Sequence, residues 1–314
     1  MRQRLAFLGV AACLTGFRTL DPDSNLHLSA QLLPQGGVEL AWTVPPAATQ
    51  GLTLRRAHDP TDPDSPAITW VLPATPTGRY VDAGVADGMT YAYALDAGAI
   101  PGQRIEVVLP ARALPVSRRP ALWIDKGQYT LAVMADGQAL KRYPIALGRL
   151  PKHRKLAFDN ASTPEGLYHV QAAQFHAKYF RAFDLDYPNA LDRVRYGLLA
   201  PPAPIGGEIQ IHGRGITRNW TYGCIALRDA DMNELFAHPE IGRGTEVRIW
   251  GGDLLEADVA ALAAGARSGW RRTLAGWDGK DGPSFWLALG RYQQAAHLPV
   301  SCLPDARTAA SLGI

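Results

Sequence analysis

His212 and Cys224 are the two residues of this chain whose types and spacing suggest covalent chemistry. Ile209-Gln210-Ile211 reads as a short apolar strand that delivers His212-Gly213, and Cys224 follows His212 by twelve positions within Thr221-Tyr222-Gly223-Cys224-Ile225-Ala226-Leu227. Asp229–Phe236 then reads as a short helix with Asp229 or Asp231 near its start. A thiol is a weak nucleophile until it becomes a thiolate, and a neighbouring imidazole lowers its pKa by stabilising the ion pair. Gly213 and Gly223 remove side chains beside both reactive groups, so backbone and substrate can approach closely. The N–H groups of Gly223 and Cys224, at a turn leading to a helix, are placed to act as oxyanion donors. The chemistry would be acyl transfer: attack on a carbonyl, a thioester, then transfer to an amine or water. The competing reading is a buried structural cysteine and a core histidine, since free cysteine is among the most buried residue types. A zinc site would need a second Cys or His at ligand spacing, so no metal is expected.

The elements that must position this pair are strands. Leu122-Trp123-Ile124-Asp125 opens a β-rich block, Asp136-Gly137 marks a hairpin between Tyr129–Met134 and Gln138–Leu147, and Glu246–Trp250 reads as the last strand. Few helices and many turns predict a curved sheet or sandwich over 121–252. Upstream, Val38–Val44, Leu52–Arg56, Ile68–Leu72, Tyr91–Leu95 and Ile105–Leu109 are short alternating or β-branched runs separated by Gly, Pro and Asp. That spacing predicts a β-sandwich over 21–113, with Trp42, Tyr91 and Tyr93 as core aromatics. Residues 114–120, with Pro115, Arg118, Arg119 and Pro120, read as a linker. From Asp253 the composition turns Ala- and Leu-rich. Leu254–Ala266 and Ser284–Ala296 have helical spacing on either side of the loop Trp277–Pro283, which predicts a small helical module over 253–314. The fold class is thus multidomain and mainly β: a sandwich, a β-rich catalytic block and a small helical module.

Composition limits the functions available. The chain has 314 residues with 47% hydrophobic and 19% charged, enough apolar content for packed cores and against global disorder. A net charge of +3 is too balanced for a dedicated nucleic-acid binder. Three cysteines exclude a disulfide framework and a four-cysteine zinc site. Met1–Gly16 places Arg2 and Arg4 before the apolar stretch Leu5–Ala12, the order of an export signal, so residues 1–20 read as an address to the periplasm or cell envelope. Val10-Ala11-Ala12-Cys13 resembles a bacterial lipobox, which would make Cys13 a lipid-modified membrane anchor; the alternative is an ordinary cleavage site with Cys13 discarded.

Several ordered motifs carry a resemblance. His212-Gly213 with Thr221-Tyr222-Gly223-Cys224-Ile225 resembles the active-site signature of L,D-transpeptidases with a YkuD-type catalytic domain. Ala146-Leu147-Gly148, Lys155, Thr163-Pro164-Glu165-Gly166-Leu167-Tyr168, Tyr187-Pro188-Asn189 and Gly244–Val247 are similar to further segments of that family, and together they cover about 121–250. Two departures stand out: Tyr222 where many members have His, and a His-to-Cys spacing at the short end. The resemblance implies that Cys224 attacks the carbonyl of an L,D bond in a peptidoglycan stem peptide. It implies that His212 takes the thiol proton and returns it to the leaving amine, and that Gly223 and Cys224 amides hold the oxyanion. Thr221 would bond across the turn or hold its shape, Tyr222 would form pocket wall, Gly213 would let substrate approach closely, and Trp220 would line the donor groove or belong to the core. Arg214, with Arg218 and Arg228, would meet stem carboxylates; the alternative for each is a solvated surface charge. No cofactor is implied. The first block resembles a fibronectin type III module. The tail resembles a three-helix peptidoglycan-binding domain through Tyr292-Gln293, Leu298-Pro299-Val300, Thr308 and Leu312-Gly313, with Cys302 where Gly is usual; a helical appendage packed on the catalytic block is the alternative. Cys302 is expected to be a buried thiol with no bridge to Cys224. Three activities remain open: transpeptidation; L,D-carboxypeptidation or release of peptidoglycan-linked protein by the same Cys–His pair; and a silent wall-binding scaffold.

Overall fold

The computed structural model describes residues 26–313 except 35, 46–50, 59–65, 99, 159, 265–269, 271–273, 275 and 276. The expected export segment and Cys13 lie outside the described residues.

Among the described residues the first block has seven strands: His27–Leu32 (β1), Val38–Thr43 (β2), Leu52–Ala57 (β3), Ala67–Val71 (β4), Thr77–Asp82 (β5), Thr90–Ala97 (β6) and Ile100–Val108 (β7). They form two antiparallel sheets, β1-β2-β5 and β4-β3-β6-β7. Alternation decides which side chains face inward. Val38, Leu40 and Trp42 of β2, Leu52 and Leu54 of β3, and Tyr91, Tyr93 and Leu95 of β6 share one core, so the three expected aromatics are buried.

The same alternation turns Arg56 inward behind Leu54. It is fully buried and binds both carboxylate oxygens of Asp82 through Nη1 at 2.8 and 2.7 Å. Tyr93 OH donates to Asp82 at 2.8 Å, and Arg56 Nη2 donates to the carbonyl of Gln128 in the next block at 2.9 Å. A buried charge needs such partners; among the described residues Nε is left without one, and the partner of Nη2 belongs to the neighbouring unit. The linker is docked as well: Leu114 N–H donates to Glu234 at 2.7 Å and Ser117 N–H to His238 at 3.1 Å.

The second block comprises Ala121–Asp125 (β8), Thr130–Ala135 (β9), Gln138–Pro144 (β10), Gly166–Ala177 (β11), Phe180–Leu185 (β12), helix Ala190–Leu199 (α1), Gln210–His212 (β13), Ile225–Ala226 (β14), helix Asp229–Ala237 (α2) and Glu246–Trp250 (β15). The sheet order is β10-β9-β8-β15-β11-β12-β13-β14. Asp136 and Gly137 have φ of 49° and 76°, the backbone that a two-residue β9–β10 hairpin requires. The predicted curvature goes as far as closure. Ala146, just past β10 at one edge, exchanges N–H···O bonds of 2.9 and 2.8 Å with Ala226 of β14 at the other edge. Gly148 bridges Thr221 next to it. The interior is filled by Leu122, Ile124, Leu131, Val133, Tyr143, Phe183, Ile211, Ile225 and Val247.

Helices Glu256–Ala264 (α3), Pro283–Ala295 (α4) and Ala306–Leu312 (α5) follow. The expected boundary at residue 252 falls inside a shared core: Leu254, Val259, Cys302 and Leu303 pack with Leu191 of α1 and Trp250 of β15. Arg195 Nε donates to Ser301 O at 2.6 Å and Arg154 Nη2 to Val300 O at 2.9 Å. Cys302 is a buried free thiol, its pKa pushed up to about 11 by burial.

Thr163–Gly166 forms the joint between the second block and this tail. Glu165 is fully buried; one oxygen pairs with the buried Lys126 Nζ at 2.6 Å, and the other accepts the N–H groups of Asp253 and Leu254 at 2.9 and 2.8 Å. Glu165→Ala strands an unpaired buried ammonium and two amides, so it is expected to cost about 3–5 kcal/mol of stability by denaturant unfolding. A loss near zero would show that Lys126 finds solvent.

Candidate active site

Residues twelve apart in sequence become neighbours because β13 and β14 lie side by side. The two strands are parallel, with Ile211 opposite Ile225 and His212 opposite Ala226. Paired residues of parallel strands share a face and successive residues alternate. Cys224, one position before Ile225, therefore lies on the face of Gln210 and His212, while Ile211 and Ile225 point into the core. Leu227 N–H donates to His212 O at 2.8 Å and holds the register.

His212 is almost fully buried, and its Nδ1 lies 2.7 Å from Gly213 O. A carbonyl only accepts, so Nδ1 carries the hydrogen and Nε2 presents a lone pair. Two rings hold the imidazole in place. Tyr179 stacks on it with centroids 4.9 Å apart, and Trp220 meets it edge-on at 5.4 Å. Trp220 is itself fixed by Nε1–H to Gly215 O at 3.2 Å. Tyr179 comes from the turn between β11 and β12, and its carbonyl accepts the Gly213 N–H at 3.1 Å.

Cys224 is partly exposed and reduced, with Sγ 3.5 Å from the carbonyl of Glu208. The expected ion pair is not what this environment favours. Burial holds the His212 pKa below its ordinary value, more than the Gly213 bond raises it. Burial also pushes the Cys224 thiol up, against a backbone bond at Gln210 and the positive charge of Lys155. Desolvation penalises both charged forms, which favours the neutral thiol and the neutral imidazole.

The turn before Cys224 is locked by Thr221. Its Oγ1 donates to Cys224 O at 2.7 Å and accepts the Gly223 N–H at 3.1 Å. This changes the expected oxyanion site. The Gly223 amide is turned into the turn, and among the described residues the Cys224 amide is the one of the two without a partner. Lys155 Nζ donates to Tyr222 O at 3.1 Å from the other side. Gly223 has φ +131°, and a Cβ there would lie 2.7 Å from Ser162 O. Gly223→Ala is expected to destabilise the fold by roughly 1–3 kcal/mol and to displace the thiol; unchanged melting and unchanged activity would contradict this.

The remaining expected residues divide. Gly213 is required by close packing, since a Cβ there would strike Asp229 Oδ1 and Phe180. Arg214 is exposed, with its N–H on Asp229 Oδ1 at 2.8 Å, and Arg218 is also exposed. Arg228 is committed elsewhere: it pairs with Asp231 at 2.6 and 3.0 Å and touches Met89 of the sandwich, so it faces the inter-block contact. Tyr222 is exposed, with the Arg149 guanidinium 4.5 Å from its ring centroid. Tyr179 and Arg149 had no sequence signal; both reach the site through pairing of distant segments. Among the described residues, no three His, Cys, Asp or Glu side chains converge as a metal-binding set, and no helix is long and apolar enough to cross a membrane.

Comparison with known proteins bears on the second block. Residues 119–249 match the family model of the YkuD L,D-transpeptidase catalytic domain. The protein named "Putative L,D-transpeptidase YafK" of Escherichia coli (strain K12) is 30% identical over 118 residues, which is 37% of this chain and 40% of that protein. The chain therefore spans well under half the length of this curated relative. Among solved structures, the L,D-transpeptidase of Xylanimonas cellulosilytica aligns at 19% identity and TM-score 0.29, covering 44% of this chain and 64% of that one. The catalytic domain of the E. faecium L,D-transpeptidase aligns at 15% identity and TM-score 0.30, covering 43% and 98%.

Proposed function

We propose that this chain, whose residues 119–249 match the L,D-transpeptidase catalytic domain, is a cysteine acyltransferase acting on peptidoglycan stem peptides. The observation that carries the reading is the Nδ1–H tautomer of His212, which leaves Nε2 as a base on the strand face it shares with Cys224. Cys224 Sγ attacks the carbonyl carbon of the L,D bond as its proton passes to Nε2. The Cys224 N–H faces the developing oxyanion. The C–N bond then breaks, His212 returns the proton to the departing amine, and a thioester remains. An acceptor amine or water attacks that thioester, gives a proton to His212, and releases Sγ. Starting from a neutral pair, no charge need be held in the buried site before substrate arrives.

Amine and water acceptors use the same thioester, so cross-linking and trimming are two outcomes of one site. The three-plus-four strand sandwich supports the fibronectin type III-like reading of the first block. The shared core of α1 and the tail favours a helical appendage that braces the catalytic block over a freely hinged wall-binding module. Export, and a lipid on Cys13, rest on the sequence pattern of the first residues.

The test is incubation with disaccharide-tetrapeptide muropeptides followed by mass spectrometry. Cross-linked dimers are expected from transpeptidation, and tripeptides with free D-alanine from carboxypeptidation. Neither product, from a folded protein with a reactive thiol, would overturn the reading.

A further inference from the structure

We propose that Arg149, held on the exposed face of Tyr222, binds a substrate carboxylate at the mouth of the Cys224 site. The inference rests on the acyl-transfer reading above and adds a specificity-determining residue to it.

Backbone pairing fixes Arg149 beside the catalytic turn. Gly148 bridges Thr221, and the Arg149 N–H donates to Thr221 O at 3.2 Å. Thr221 is in turn bonded to the carbonyl of Cys224. Arg149 is thus tied by short backbone links to the residue that sets the nucleophile's position. Its guanidinium lies 4.5 Å from the Tyr222 ring centroid. Lys155 Nζ donates to the Tyr222 carbonyl and fixes the backbone that carries the ring.

The pair sits at the surface: Tyr222 is 64% exposed, and Arg149 is exposed as well. An aromatic face attracts the cation but accepts none of the in-plane N–H bonds of the guanidinium. Among the described residues Arg149 has no ion-pair partner, in contrast to Arg228 with its bidentate grip on Asp231. A planar fork of donors, oriented by a ring and without a protein acid, matches a carboxylate. Stem peptides bring one to this place by their chemistry. When the D-residue is terminal, its carboxylate is on the same carbon as the scissile nitrogen. A diaminodicarboxylic acid at the position whose carbonyl is attacked supplies a second carboxylate at the far end of its side chain.

The test compares wild type with Arg149→Gln, Arg149→Lys, Tyr222→Phe and Tyr222→Leu on three tetrapeptide stems. One stem has both carboxylates free, one has a terminal carboxamide, and one has an amidated diamino acid. Arg149→Gln is expected to lower kcat/KM on the free stem about tenfold, mainly through KM. It should have no further effect on whichever amidated stem wild type already handles poorly. That stem identifies which carboxylate is bound. Arg149→Lys should recover part of the loss, Tyr222→Phe should keep the discrimination, and Tyr222→Leu should weaken it. Equal effects of Arg149→Gln on free and amidated stems, or none on any, would overturn the proposal.

Binding of the same three stems to the Cys224→Ala protein by calorimetry separates the two readings. A carboxylate-dependent loss of binding in Cys224→Ala/Arg149→Gln without turnover in wild type would uphold the subsite and refute the reaction. Turnover in wild type with carboxylate-independent binding would do the reverse.

Discussion

Cys224→Ala is expected to reduce product formation from muropeptides by a factor of about a thousand or more, to the level set by binding alone. The variant should melt as wild type does. The side chain is small and partly exposed, and its polar contacts among the described residues are limited to Glu208 O at 3.5 Å and a backbone bond at Gln210, so its loss leaves little unfilled space. The other free thiol among the described residues, Cys302, cannot substitute. It is buried among Leu254, Val259 and Leu303 on the side of the barrel that carries the tail, and burial holds it protonated. Residual turnover near that of wild type would remove Cys224 from the nucleophile's role.

His212→Ala is expected to slow acylation by roughly a hundredfold to ten-thousandfold, the range for loss of a positioned general base. The pH dependence carries more information than the size of the loss. A base must be neutral to accept the thiol proton, and burial favours the neutral imidazole. The acid limb of kcat/KM, where His212 gains a proton as pH falls, should therefore lie below the ordinary histidine value of 6.5. An acid limb clearly above 6.5 would mean that an ion pair, rather than desolvation, governs the site.

Such a limb could not have been foreseen from residue types. His212 ends one short apolar strand and Cys224 stands just before another, and that part of the site is legible in the sequence because both runs are apolar and close enough along the chain to pair. Spacing says nothing about the Tyr179 and Trp220 rings that exclude water from the imidazole, and desolvation is what reverses the expected direction of the thiol's pKa shift and lowers that of the imidazole. Tyr179 reaches His212 only because the β11–β12 hairpin turns over the end of β13. Position before a helix assigns the oxyanion to the Gly223 amide. Its capture by Thr221 Oγ1 depends on φ at Gly223, a backbone angle that sequence leaves free.

The strands of the sandwich were legible for a simpler reason. One face of each is buried, so apolar residues recur every second position along β2 and β3. Arg55 and Arg56 show where that reading stops. The two are chemically identical neighbours, yet Arg55 faces solvent and Arg56 is buried against Asp82 and the Gln128 carbonyl, partners 26 and 72 positions away. The helical tail is a similar case. Its helices follow from periodicity, but its docking depends on Glu165, Arg154 and Arg195, residues of the barrel that the local pattern of the tail does not contain.

The most direct measurement of the central claim is the intact mass of the protein after brief exposure to tetrapeptide stems and an acid quench. The account predicts an added mass equal to the stem without its terminal D-residue, located on Cys224 by peptide mapping. The adduct should be absent from Cys224→Ala and slow to form in His212→Ala. An adduct that persists in Cys224→Ala, or stem turnover in which that variant matches wild type, would contradict it.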